Sequence, residues 1–306
     1  MENSVLISVI MSTYNEPLEQ IRMSIDSILK QTHNNLQFII VIDNPLNHGL
    51  VSLLEQYEGG DSRIKLLKND KNMGLTKSLN RMLTHVDGDY VARMDADDVA
   101  VNTRLEMQLE FTLSHDCDMI GSNIVKISSA GEEIVKFIFP EFIEESTIFH
   151  GNPIAHPTWF LKREVFDLLG GYRDMPLCED YDFLLRAFSA GFKIRNIQEY
   201  LLFYRLSPSG ISQSNLLKQR LSSLYLVENY ARINEVTKEE LLQYLSNCNI
   251  NQSKEKRYLK SSILYGKSSK YKQENKNINR YVYLIACCLM SYNYFKLNIL
   301  SEFKKS

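Results

Sequence analysis

From residue 5 onward the chain alternates between two patterns. Val5–Met11 (VLISVIM) is an unbroken apolar run rich in β-branched residues, the mark of a strand buried on both faces, and it stops at the polar STYNEP. Leu18, Ile21, Ile25, Ile28 and Leu29 then recur at the spacing of one helix face. A second buried strand is predicted over Leu36–Ile42, closed by the turn chemistry of Asp43-Asn44-Pro45. A helix around 49–57, a short strand Ile64–Leu67, a helix near 75–85 behind KNDKNMGL, and a strand Tyr90–Met94 follow. Continuous apolar strands alternating with helices predict a mostly parallel sheet covered on both faces. Beyond residue 120 the pattern is less regular, with strand-like pieces at 119–127 and 133–139. From about 216 it turns helical, Lys- and Tyr-rich, with Gly266 as the one plausible break.

In such sheets ligands bind beyond the carboxyl ends of the strands, where the strand order reverses. Three of the predicted strands end in polar or acidic residues: Thr13-Tyr14-Asn15-Glu16, Asp43-Asn44 and Asp95-Ala96-Asp97-Asp98. All three are expected to converge on one edge. The last places three carboxylates in four positions, and two such charges ~4 Å apart repel by ~4 kcal/mol at the effective dielectric of a protein surface. Something positive has to balance them. Alternate aspartates are hard oxygen donors suited to Mg²⁺ or Mn²⁺, the former completing its shell with water and substrate phosphates. The competing reading makes them caps for the next helix, yet VNTRLEMQLEF offers its own cap in Asn102, with Leu105, Leu109 and Leu113 behind it on one face.

The net charge of −2 hides an asymmetry. Residues 216–306 carry sixteen Lys/Arg against seven Asp/Glu, and the rest nineteen against thirty. Because the acidic part holds the candidate chemistry, nucleic acid is not an expected ligand. No G-x-G-x-x-G follows the first strand and no P-loop is present, which disfavours dinucleotide and P-loop chemistry. Five cysteines, at 117, 178, 248, 287 and 288, lack metal or redox spacing, so reduced thiols are expected. The first residues lack a basic leader and no later segment reaches ~18 apolar residues, so neither a signal peptide nor a membrane span is expected.

ISVIMSTYNEP, QTHNNLQFIIVIDNP, NMGLTKSLNRMLTHVDGDYVARMDADD, NPIAHPTWFLKREVFDLLGGY and EDYDFLLRAFSAGFKIRNIQEYLLFYR resemble, in order and spacing over residues 5–206, the successive blocks of glycosyltransferase family 2. The similarity is greatest to the bacterial branch that builds O-antigen, capsule and exopolysaccharide. The resemblance implies a GT-A type α/β fold over 1–215 with a basic helical region over 216–306, and inverting transfer from a nucleotide sugar, UDP-linked in most such enzymes. It gives Thr13, Asn15 and Glu16 to base and ribose, and Asp43 to the pyrimidine ring, where a plain turn is the other reading. Asn72 and Gly74 match an N-x-G turn. Lys77 either reaches the diphosphate or is a solvated helix lysine. Asp95 matches a ribose- or sugar-facing carboxylate that also borders the metal, Asp97 the direct ligand of Mn²⁺ or Mg²⁺, and Asp98 stands behind them. Asp180 matches the general base and Glu179 its neighbour in acceptor binding, a helix N-terminus keeping Asp180 ionised at neutral pH. Trp159 either stacks on a pyranose or anchors the core, and His156 lies near the acceptor or metal. Where some members place a metal-binding His after Tyr204-Arg205, this chain has LSPSGISQS.

The implied acceptor is a lipid-linked saccharide at the inner face of a bacterial plasma membrane, where residues 216–306 either touch the membrane or pack as a lid. Two other functions compete with this one. A sugar nucleotidyltransferase would need a Gly-rich phosphate loop after the first strand, where this chain has STYNEP. A non-catalytic nucleotide- or carbohydrate-binding relic is weighed against by Asp95, Asp97 and Asp180.

Overall fold

The structure, a computed structural model, describes residues 5–206, 215–273 and 277–291 together with Tyr294 and Leu297. The chain divides into two compact units, one of residues 5–174, 179–206 and 230–234, the other of 175–178, 215–229 and the residues from 235 on.

In the first unit the predicted alternation forms as β1 (Ile7–Thr13), α1 (Leu18–Leu29), β2 (Leu36–Ile42), α2 (His48–Gly60), β3 (Ile64–Lys68), α3 (Leu75–Leu83) and β4 (Tyr90–Asp95). β1 pairs in parallel with β2 and β4, and β2 with β3. The β-branched runs are buried on both faces: Ile7, Val9, Ile10, Phe38, Ile39, Ile40, Val91 and Ala92 are all without exposed surface. α1 turns Ile21, Ile25 and Ile28 onto that sheet. Registry sets Thr13 beside Ile42 and Ser12 beside Asp95, so the ends of β1, β2 and β4 lie side by side at the crossover, as expected.

The second half of the sheet departs from the parallel expectation. β5 (Val99–Ala100), β6 (Met119–Ile127), β7 (Glu133–Phe137), β8 (Phe160–Lys162) and β9 (Ile194–Arg205) extend it in the order β3-β2-β1-β4-β8-β6-β9-β5, with β7 attached to β6. β4–β8, β6–β8, β6–β7 and β5–β9 are antiparallel, whereas β6–β9 is parallel. The sheet is therefore mixed: β6–β7 is a hairpin, and the other antiparallel pairs join strands far apart in the chain. α4 (Arg104–His115) begins after Thr103, with no side-chain cap, so Asn102 is not the cap it was expected to be. Leu105 and Leu109 are buried in that helix, but Leu113 is half exposed. α5 (Glu145–Ile148), α6 (Arg163–Leu169) and α7 (Glu179–Ser189) complete the unit.

The second unit contains α8 (Leu216–Glu228), α9 (Lys238–Asn247), α10 (Gln252–Gln273) and α11 (Asn277–Met290), with a small core of Leu217 from α8, Tyr258 from α10, Cys287 from α11, and Tyr294. α9 opens with a capping box in which Glu240 N donates to Thr237 Oγ1 and Thr237 N to Glu240 Oε2. α10 runs through Gly266, so no break occurs there. No described helix is long and apolar enough to cross a membrane. None of the five cysteines is in a disulfide.

Candidate active site

β4 delivers the acidic cluster. One ligand oxygen each of Asp95, Asp97 and Asp98 lies within 4.8 Å of the others. Three features hold them there. Ser24 Oγ donates to the carbonyl of Asp95 at 2.9 Å, tying α1 to the end of β4. Arg205, at the end of β9, donates from its backbone N to Asp98 Oδ1 at 2.8 Å and from Nε to the Asp97 carbonyl at 2.7 Å. Asp98 is buried, and its Oδ2 has no hydrogen-bond partner among the described residues.

The charge expected opposite this cluster is partly built into the strand itself. Arg93 is 4% exposed and ion-paired with Asp95. Burial alone would lower its pKa, but the pull of Asp95 overrides that and raises it. A second cation, Arg104, is fully buried beneath, where its Nη2 donates to the Arg93 carbonyl at 2.8 Å and its Nε to Gln108 Oε1 at 3.0 Å. Burial lowers Arg104 to about 9. These cations do not cancel the repulsion. Burial first, then Asp95 and Glu16, push Asp97 up to about 7. Asp98 is also raised, by burial, Asp95 and Asp97, and Glu16 by burial, with a smaller contribution from Asp95. Carboxylates this close, still short of positive charge, are hard oxygen donors that fit a divalent cation. Asp97 and Asp95, partly exposed, are placed to hold it, and the buried, unpartnered Oδ2 of Asp98 is backed into the same cluster.

Arg93 is the residue that sequence reasoning missed, although an arginine inside an otherwise apolar strand was a legible signal. Removing it leaves a buried carboxylate cluster without its resident counter-charge, which costs about 3 kcal/mol, the low end for a broken buried pair because Asp95 is a third exposed. Asp97 gains a proton in the fold between about pH 4 and 7 that the unfolded chain does not bind, so stability falls as pH rises through that window. Urea titrations without metal are expected to show Arg93→Met destabilised more at pH 8 than at pH 5.5. An equal loss at both pH values would contradict the electrostatic role.

The second half of the site is the start of α7. Asp180 accepts from Asn152 Nδ2 at 2.8 Å and from Tyr181 N at 2.7 Å. Burial raises its pKa despite these donors and the field of Arg93, and burial with the Asp180 charge lifts Glu179 to about 7. The helix N-terminus therefore does not keep the pair at ordinary carboxylate values; desolvation wins. One turn on, fully buried Asp182 pairs with both Arg173 and Arg186. Arg186 donates to the carbonyls of Leu169 and Gly171, locking the loop before α7.

The remaining expected residues divide. Asp43 is buried at the end of β2, and its carboxylate accepts from Met73 N at 2.7 Å, Gly74 N at 2.9 Å and Asn69 Nδ2 at 2.6 Å. It builds the turn before α3 rather than standing open to a ring. Gly74 supplies that turn with a φ of 83°, which a β-carbon would strain, and its N also donates to Asn72 Oδ1 at 2.9 Å. Asn15 accepts from Asn44 at 2.7 Å, and Glu16 from Tyr14 N at 2.7 Å. Thr13 corrects the expectation: its buried hydroxyl donates to the Val41 carbonyl at 2.9 Å, so the side chain faces the sheet and not a nucleoside. Lys77 is exposed on α3.

Trp159 is a second correction. It is wholly buried among His156, Tyr172 and Phe183, leaving no face for a sugar. His156 is equally enclosed, its Nε2 bonded to Tyr172 OH at 2.9 Å, and burial lowers its pKa well below the ordinary value. Neither belongs to the acidic cluster. The segment 207–214, where a further metal ligand was sought, lies outside the described residues.

A family model described as glycosyl transferase family 2 matches residues 8–170. An uncharacterized glycosyltransferase of Methanocaldococcus jannaschii, MJ1057, is 34% identical over 230 residues, covering 74% of this chain and 79% of that protein. The O-antigen biosynthesis glycosyltransferase WbnJ of Escherichia coli is 33% identical over 226 residues, 73% of this chain and 88% of its own. Among solved structures, Staphylococcus aureus TarS 1–349 with UDP-GlcNAc superposes with a TM-score of 0.61 at 14% identity, covering 93% and 92% of the two chains. The Pyrobaculum calidifontis mannosyltransferase PcManGT, with GDP-Man and Mn²⁺, gives 0.58 at 15%, covering 92% and 86%. The fold is the GT-A type.

Proposed function

The chain belongs to glycosyltransferase family 2, and from that premise we propose that it is an inverting, metal-dependent enzyme that moves a hexose or N-acetylhexosamine from UDP to a lipid-linked glycan in bacterial surface polysaccharide synthesis. The observation that carries this reading is the cluster of three crowded carboxylates at the carboxyl end of β4, with a buried acid pair at the start of α7, both within the field of Arg93. Asp97 and Asp95 hold Mn²⁺ or Mg²⁺, which supplies charge neutralisation at the departing diphosphate. The PcManGT complex with Mn²⁺ and the TarS complex with UDP-GlcNAc support the ligand class. Asn15, Glu16, Asn72 and the Asp43-held turn line the nucleoside end, with Lys77 at the start of α3 beside the diphosphate.

The acceptor hydroxyl oxygen attacks the anomeric carbon from the face opposite the diphosphate. Its bond to carbon forms as the carbon–oxygen bond to UDP breaks, and its proton passes to Asp180. Burial, which raises the pKa of Asp180, makes it a stronger base toward that proton than an exposed aspartate. Glu179 lies beside it toward the acceptor. The enzyme works at the inner face of the plasma membrane, residues 216–306 adding basic surface toward it.

The test is a thermal-shift series with UDP, UDP-glucose, UDP-galactose, their N-acetyl forms and GDP-mannose, each with and without Mn²⁺. Mn²⁺-dependent stabilisation by one UDP-sugar family is expected, ~2.7 kcal/mol at a hundredfold excess over Kd. No shift with any of them, in a folded sample, would contradict the reading.

A further inference from the structure

A continuous apolar strand belongs between two covering layers, and a strand with one wet face alternates apolar with polar. β7 does neither. Its neighbourhood reads EIVKFIF, and all five strand residues are exposed. Ile134, Val135, Phe137, Ile138 and, after the following bend, Phe142 are between 41% and 65% exposed. β7 lies off the main path of the sheet and pairs with β6 alone among the described residues. By strand parity Ile134 shares one side of the ribbon with Lys136, and Val135 the other with Phe137, so apolar surface is exposed on both sides.

Two observations say what covers it. The first is location. The turn between β6 and β7 is fastened to the acidic cluster, Arg205 donating from Nη1 to the carbonyls of Ser128 and Ser129 at 3.2 and 3.1 Å. The same arginine holds Asp97 and Asp98. Gln20, on α1, also reaches Ser129 O, at 3.4 Å. The hairpin thus springs from the rim of the site. The second is charge. Lys126 lies 4.8 Å over the ring of Phe137, Lys136 5.3 Å over Tyr200, and Arg195 4.4 Å over Phe142. Neither lysine pairs with a carboxylate among the described residues, whereas Arg195 pairs with Glu141. Glu132 and Glu133 sit together at the turn end. Apolar side chains bordered by rings with cations on them are the make-up of a segment at a bilayer's headgroup boundary, with apolar groups entering and Lys reaching lipid phosphate.

We infer that the β6–β7 hairpin docks the catalytic unit on an anionic lipid surface, bringing the mouth of the site to an acceptor held in that bilayer. The inference rests on the proposed transfer to a lipid-linked glycan and supplies the contact that such a reaction needs. Its test is flotation of the full chain with vesicles of phosphatidylcholine alone or with phosphatidylglycerol, at low and high salt. Binding is expected only with the anionic lipid and to weaken with salt. Ile134→Glu with Ile138→Glu should lower it about tenfold or more, while Ile134→Trp with Ile138→Trp should retain it. Mn²⁺-dependent shifts with UDP-sugars, unchanged in all variants, show that fold and donor site are intact; their absence in the parent protein would instead count against the proposed activity. Equal flotation of the glutamate and parent chains would overturn the inference. So would no flotation of the parent, or a parent dimer that the glutamates split, which would assign the face to a second copy.

Discussion

Asp97→Ala is expected to lower sugar transfer by about 10³-fold or more and to abolish the Mn²⁺ dependence of UDP binding, while leaving the metal-free protein more stable above neutral pH. The two effects have one cause. Asp97 faces Asp95 and Glu16 in a partly dehydrated corner, and its carboxyl is pushed up to about 7. In the metal-free protein that is a penalty: above pH 7 the fold must hold a charge it disfavours, and deleting the group removes the cost. With a divalent cation present the same charge becomes the strongest available ligand. The measurement pairs calorimetric titration of UDP with and without Mn²⁺ against urea denaturation at pH 8 without metal. Unchanged Mn²⁺-stimulated binding would remove Asp97 from the ligand set. A variant less stable than the parent at pH 8 would show that Asp97 makes a structural contact stronger than the repulsion described here.

The strand ends were legible because continuous apolar runs leave little freedom: a strand buried on both faces has to stop where the first charged group meets solvent. This located Asp43, Asp95 and Asp97 on one edge from residue types alone. What the pattern hid was direction. Thr13 belongs to a polar strand-end tetrad, yet its hydroxyl turns inward to Val41, because strand parity and not polarity chooses the face. Trp159 was the only tryptophan available for a sugar face, and Tyr172 and Phe183 from later segments, with the nearby His156, enclose it instead. Asp98 is held by Arg205, 107 residues away, a pairing no local window contains. Arg93 could have been found. A guanidinium in the middle of a buried strand needs a carboxylate, and the nearest along the sequence is two residues on, on the same face.

Asp180→Asn is expected to reduce transfer by about 10²–10⁴-fold with UDP-sugar affinity nearly unchanged, and Glu179→Gln to keep substantial transfer with its acid limb in place. The pair starts α7, where a helix N-terminus alone would favour ionised carboxylates, but burial outweighs the dipole at both positions. A base must be ionised to accept the acceptor's proton. A raised pKa therefore moves the loss of kcat/KM upward from the ordinary aspartate range, as Asp180 takes up its proton. Below about pH 7 Glu179 is already neutral, so its replacement by Gln leaves the limb set by Asp180 in place. The profile is taken at saturating Mn²⁺, where the cation holds Asp97 ionised and removes it from the curve. Arg93 shapes the same limb from the other side, its charge lowering both acids. The acid limb of Arg93→Met should move to higher pH, where that of Glu179→Gln stays in place. Were Asp180→Asn active and Glu179→Gln dead, the base would be Glu179. An acid limb near pH 4 in the parent enzyme would show that neither buried acid accepts the proton.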